Sequence, residues 1–251
     1  MIHITLPERW DQLSEKQLEF VAKLLLREIP AVEMITRCFF NFTGIKILHK
    51  DPVMLDGELC YLFKKYHVGR FPLDVDLTAS IIQRLEWLTG EVTLFANPAA
   101  IKHYTGCHFK LYGVTLEEWL IADQMYIAFA KTKDPKFLDK MLAVFYTKAG
   151  EKWNADTSLK SREKRFRRVP RFRKYLVFLW YTSVKLWLKS EYRFLFTPPE
   201  SKGSQSPNEY VLGLLSALNE GDVTHNPALK ATDCHEVFYE LNRKIEKSLN
   251  F

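Results

Sequence analysis

Apolar residues recur at helical spacing along most of this chain, and the interruptions fall at prolines, glycines and capping residues. Ser14-Glu15-Lys16-Gln17 carries the serine and, three positions on, the glutamine of a reciprocal cap. Leu18, Val21, Ala22, Leu25 and Ile29 then share one face, so residues 15–29 read as an amphipathic helix. Pro30 suits the first turn of a second helix with Ile35, Phe39 and Phe42 inward and Gly44 as its stop, completing a helical hairpin. Residues 54–66 read as a third helix. Gly69 and Pro72 then punctuate the chain, and Asp76 caps Leu77–Leu88, which carries Ile81, Leu85 and Leu88 in register and closes at Gly90.

The pattern weakens between residues 91 and 113, where Pro98, Gly106 and Gly113 interrupt it. Val92–Phe95 and Phe109–Tyr112 are candidates for short strands or extended packing segments there. Thr115-Leu-Glu-Glu118 repeats the capping pattern and opens the strongest helix, with Trp119, Ala122, Met125, Tyr126 and Phe129 on one face. Asp134-Pro135 caps and opens another, carrying Leu138, Leu142 and Phe145. After a polar connector from Gly150 to Val169-Pro170, a fresh helix begins near Arg171. Its aromatic stretch 175–196 is either a central core helix or has one face covered by another subunit. Residues 197–207 form a Pro/Ser/Gly loop. Asn208–Asn219 and Ala228–Leu249 read as two closing helices, the last amphipathic through Leu241, Ile245 and Leu249. The expected fold is mainly all-α, a multi-helix core with a small β-hairpin or extended insertion near 91–113. The expected organisation is a helical region over 1–150, a basic connector or arm over 151–174, and C-terminal helices over 175–251 packed on the same core.

Composition adds one sharp feature. Leu159–Lys174 holds nine Lys/Arg and one Glu, while the whole chain of 251 residues has 36 Lys/Arg against 30 Asp/Glu, a formal charge of +6. The rest of the chain is nearly neutral, which argues against nucleic-acid binding over the whole surface and focuses attention on this run. Lys160, Arg162, Lys164, Arg165, Arg167, Arg168, Arg171, Arg173 and Lys174 are candidates for contacting a polyanion or the acidic surface of a neighbouring subunit. Phe166 and Phe172 suit base stacking or anchoring in a core equally well. A hydrophobic content of 47% supports a substantial core and excludes global disorder. The opening MIHITLPERWDQLSEKQ has no apolar signal segment, and Cys38, Cys60, Cys107 and Cys234 lie far apart. Both point to free thiols in a reducing cytoplasm. Tyr175–Leu188, the longest near-apolar stretch, contains Lys185 and is too short to span a bilayer, so no stable membrane insertion is expected.

Chemical motifs are sparse. His103, Cys107 and His108, together with His225, Cys234 and His235, lack the paired spacing of zinc ligands. Cys107-His108 adjacency does not make a nucleophile and its base, and Glu117 and Glu118 are explained by the helix start they occupy. The glycines are scattered and build no phosphate cradle. The expectation is a non-enzymatic protein with no metal and no cofactor.

Three stretches carry a resemblance: LPERWDQLSEKQ, GVTLEEWLIADQMYIAFAKTKDPKFLDKMLAVFY and VPRFRKYLVFLWYTSVKLWLKSEYRFLF. Across residues 5–197 the chain resembles small proteins of tailed bacteriophages and prophages of Bacteroidetes, including neck or tail ring proteins of crAss-like phages. The resemblance implies a virion structural protein, assembled in the host cytoplasm, that forms a homo-oligomeric ring in the portal–neck–tail assembly and a channel for genome passage. Neighbouring portal, neck or tail proteins would be its partners. It implies that Trp10 seats the N-terminal hairpin, that Trp119, Asp123 and Tyr126 belong to the central helix, and that Phe178, Trp180 and Tyr181 support the later packing helix. The basic connector would then act as an intersubunit arm, and the 197–207 loop would meet a second ring. The alternative is a nucleic-acid-binding or packaging accessory protein working through residues 160–174.

Overall fold

The computed structural model describes residues 4–96, 100–101, 103–148, 151, 155–196 and 222–249, together with Gly213, Ser216 and Asn219. The chain divides into two compact units, Met1–Thr93 and Leu94–Phe251, and is mainly helical with a few short strands. The division between the units thus falls within the helical region expected over 1–150. Residues on both sides of 150 belong to one core: β5 (Thr105–Gly106) pairs with β6 (Tyr146–Thr147), and α5 (Lys136–Phe145) packs on α4 (Leu116–Thr132), α6 (Ala155–Phe166) and α7 (Arg171–Glu191).

In the first unit the Ser14 hydroxyl accepts from the Gln17 amide while the Gln17 side chain accepts from Ser14 N–H, starting α1 (Glu15–Leu25). Pro30 caps α2 (Ala31–Thr43), and Gly44 ends it at φ 66°, where a residue without Cβ enters the left-handed region freely. The third expected helix is instead a β-hairpin within a four-stranded antiparallel sheet. Strand β3 (Glu58–Lys65) is central, with β1 (Lys46–Ile47) and β2 (Val53–Leu55) sharing one edge and β4 (Gly69–Asp74) on the other. Asp56 and Gly57, at φ 50° and 87°, form the two-residue turn whose twist matches paired strands. Phe63 and Phe71 face each other across the sheet and meet Phe40 of α2 through Phe63. Helix α3 (Val75–Gln83) starts one residue after Asp74, which accepts from the Leu77 amide, so the cap is Asp74 and Asp76 lies within the first turn. A 3-10 turn, Glu86–Thr89, then leads to Gly90. Trp10 is buried edge-on against Trp87, whose indole N–H donates to Pro7 O at 3.2 Å, so the two ends of this unit close on each other.

The second unit is built around α7. Its Leu176, Val177, Leu179, Trp180, Tyr181, Ser183, Val184 and Leu188 are buried, making the aromatic stretch a core helix. The extended stretch after Thr93 serves it: Leu94 N–H donates to Ser183 Oγ, and Trp180 Nε1–H donates to Phe109 O. Neither Val92–Phe95 nor Phe109–Tyr112 forms a strand; Leu94 N–H and Phe109 O are committed to α7, and Leu111 N–H donates to His108 O in a turn. The two-residue strand that does form, β5, finds its partner beyond the insertion. Helix α4 begins at the Thr115–Glu118 capping box. After α8 (Arg193–Phe196), the expected loop 197–207 and most of the expected helix Asn208–Asn219 lie outside the described residues. The final expected helix is divided into α9 (Asn226–Ala231) and α10 (Cys234–Leu249). At the break, Leu116 N–H donates to Thr232 O, Cys234 N–H to Val114 O and Gly113 N–H to Asp233 Oδ2, clamping α10 to the start of α4.

Candidate polyanion-binding surface

The helical period sorts the basic run into two populations. On α6 and at the turn into α7, Arg162, Phe166, Val169 and Lys174 point inward, while Lys160, Lys164, Arg165, Arg167, Arg168 and Arg171 are exposed and Arg173 is half-buried. Phe166 packs on Tyr104 at 4.9 Å between ring centroids and on Tyr146 at 6.3 Å, which assigns it to the core. The Arg162 side chain is 0% exposed; its Nε lies 3.1 Å from Glu151 Oε1 and its Nη1 donates to Ala143 O at 3.3 Å. Arg165 reaches the same carboxylate at 3.6 Å and donates to the Tyr104 hydroxyl. Lys174 pairs with the buried Asp139 carboxylate and donates to Arg167 O at 3.2 Å, closing the turn between the helices. The expected arm is thus a folded helical corner held from within. Arg162 and Lys174, expected at a binding surface, are withdrawn from it because each neutralises a carboxylate inside the unit.

The surviving surface charge is concentrated. Arg167 pairs with Glu163 at 3.4 Å, but Lys160, Lys164, Arg168 and Arg171 make no ion pair with a described residue. The first turn of α7 has no acidic side chain and no side-chain cap, so its positive dipole end adds to these cations instead of being offset. Burial opposes ionisation of Glu151, yet the Lys148 amide and the Arg162 and Arg165 guanidiniums outweigh it and hold the carboxyl below its ordinary range. The corner presents a positive surface on which four exposed cations make no ion pair with a described residue, suited to phosphates or a carboxylate-rich surface.

No family model, curated protein or solved structure matches this chain. Its chemistry is therefore read from its own side chains. His235, expected among loose histidine and cysteine candidates, has both ring nitrogens engaged: Nδ1 is 2.8 Å from the Tyr192 hydroxyl and Nε2 is 2.6 Å from Lys110 O. Since a carbonyl only accepts, Nε2 carries the proton and donates. His225 lies 3.2 Å from Asp222, His103 is exposed, and the His108 ring sits between Phe109 and Tyr112. Among the described residues no group of three or more His, Cys, Asp or Glu is arranged to hold a metal. Burial pushes the Cys38 thiol up to about 12 and raises Cys107 and Cys234 well above the ordinary thiol range, so these cysteines remain protonated and poorly nucleophilic. No helix of the described residues is long and apolar enough to cross a membrane.

The aromatic candidates lie in the cores. Trp10, Trp119, Trp180 and Tyr181 are buried, while Tyr126 and Phe178 are half-buried and stack at 4.8 Å. Asp123 is fully buried between the Tyr181 hydroxyl, which donates at 3.1 Å, and the Lys185 ammonium. The sequence allows Asp123 either a local cap or a salt bridge, and the structure shows the salt bridge, to Lys185; the buried pair Asp139–Lys174 is not foreseen. The available signal was an acid set among apolar neighbours on a helix face, as Asp139 is between Leu138 and Leu142.

Proposed function

We propose that this chain is a non-enzymatic structural protein of a bacteriophage particle, one subunit of an oligomeric ring in the portal–neck–tail assembly that leaves a channel for genome passage. The observation that carries the reading is the α6–α7 corner: a helix pair locked from inside by Arg162 and Lys174 that presents Lys160, Lys164, Arg168 and Arg171 without a carboxylate partner among the described residues. A rigid cationic corner serves equally at a channel wall near DNA or in the acidic groove of an adjoining subunit, and repetition around a closed ring multiplies a modest contact. The resemblance of three stretches to neck and tail ring proteins supports the phage setting. Mass photometry of the purified chain, alone and with portal and tail proteins of the same genome, followed by cryo-electron microscopy of the particle, tests it. The expected result is a closed ring at the head–tail junction or tail. A chain that stays monomeric with every such partner and is absent from purified particles overturns the reading.

The same exposed cations favour a second reading, a nucleic-acid-binding or packaging accessory protein. That reading expects the isolated chain to bind DNA with an affinity that falls steeply as salt rises. Monomers arrayed along nucleic acid in place of a ring would put it first.

A further inference from the structure

We propose that Lys46, Lys64 and Arg70 form a second, independent binding row, which takes the phosphate backbone of a single-stranded nucleic acid with Tyr66 stacking on a base beside it. The inference does not rest on the ring reading; it arises in the first unit, from strand register. Lys46 of β1 stands directly opposite Lys64 of β3, and Lys64 stands directly opposite Arg70 of β4. Directly opposed residues project from the same face, and neighbouring strands lie about 4.8 Å apart, so three cations occupy one line about 10 Å long. All three are exposed, and none makes an ion pair with a described residue.

Like charges placed directly opposite each other destabilise a sheet, so the row carries a standing repulsion that a bound anion would relieve. The same face offers no internal remedy. Its next positions toward the other end are Leu62 and Pro72, and its carboxylates, Glu58 and Asp74, lie at that far end. Asp74 is about 14 Å along the strand from Arg70 and is committed to capping α3. An open line of cations fits successive phosphates of one strand better than a single enclosed phosphate. The hairpin tip supplies the second requirement of a single-strand site: Tyr66 is 80% exposed, braced by the His67 ring at 4.0 Å, directly after Lys64 and Lys65.

The test uses the full chain and a fluorescein-labelled oligothymidylate of about twenty nucleotides, read by anisotropy over a salt series. K46Q/K64Q/R70Q is compared with the charge-matched control K16Q/K244Q/K247Q, with far-ultraviolet circular dichroism confirming that each is folded. The row variant is expected to bind at least about tenfold more weakly than the control and to lose about two from the slope of log affinity against log salt. Y66A is expected to lose about fivefold or more without changing that slope. In the absence of ligand, K64Q should raise the thermal midpoint at low salt, and the gain should shrink as salt is added. Equal binding by the row variant and the control overturns the proposal, as does no binding by the parent at low salt. Displacement of the oligonucleotide by inorganic phosphate or polyglutamate at matched charge concentration also overturns it, by assigning the row to small anions or to acidic protein.

Discussion

Lys174 and Asp139 are both almost withdrawn from water, and their value to the fold depends on remaining paired. Removing one partner leaves an uncompensated buried charge, whereas replacing both removes the desolvation cost along with the attraction. D139N and K174M should therefore each cost about 3–5 kcal/mol in urea unfolding, and D139L/K174M should recover most of that loss. Two single variants that unfold like the parent would show that the pair adds nothing to the α5–α7 contact. Glu151 behaves differently because it titrates within reach. Its folded carboxyl sits below its ordinary value, so its contribution is fully present above the unfolded carboxylate value of about 4.3 and is lost as pH falls through the lower folded value. E151Q should lower stability at neutral pH and flatten the acid limb of the stability–pH curve. An unchanged limb would remove Glu151 from the anchoring of Arg162 and α6.

At the scale of elements, the hairpin between β2 and β3 turns on Gly57, which sits at φ 87° in open space, where an added Cβ would meet nothing within 4 Å, so any cost of G57A is backbone strain alone. G57A should destabilise by about 1–2 kcal/mol, while G90A, at φ −88° with only an ordinary 3.5 Å neighbour, should be near neutral. Chemical denaturation of the two variants side by side decides whether the turn geometry matters. The elements that can be read directly from the chain are those whose signals lie within a few positions: Ser14 with Gln17, Thr115 with Glu118, Pro30 and Gly44 around α2, and Pro170 before α7. The hairpin reads as a helix because Leu55, Leu59, Leu62 and Phe63 also satisfy a helical period, although Asp56-Gly57 between apolar residues is a strong turn signal. The partners of buried charges, such as Glu151 for Arg162, and the opposition of Lys46, Lys64 and Arg70, depend on register and packing between distant segments. No local period encodes them.

For the whole molecule, the basic run has two separable duties, one structural and one directed outward. Arg162 and Lys174 hold the corner to the second unit's core, while Lys160, Lys164, Arg168 and Arg171 turn their charge to the surface. Exposed substitutions away from caps and partners move stability by no more than about 0.5 kcal/mol, whereas each phosphate contact adds about 0.9 to the salt slope on duplex DNA. K160Q/K164Q/R168Q/R171Q should therefore keep the parent's thermal midpoint to within a few degrees while losing about three to four from the slope of log affinity against log salt. R162M should do the reverse in stability, lowering the midpoint because Glu151 and Ala143 O lose their donor. If the quadruple variant unfolds as readily as R162M, the exposed cations are part of the fold after all and the corner is not a surface held ready for a partner. If it stays folded and its DNA binding is unchanged, the corner is not the DNA site, and failure of the same variant to enter the proposed ring would assign it to the acidic surface of a neighbouring subunit.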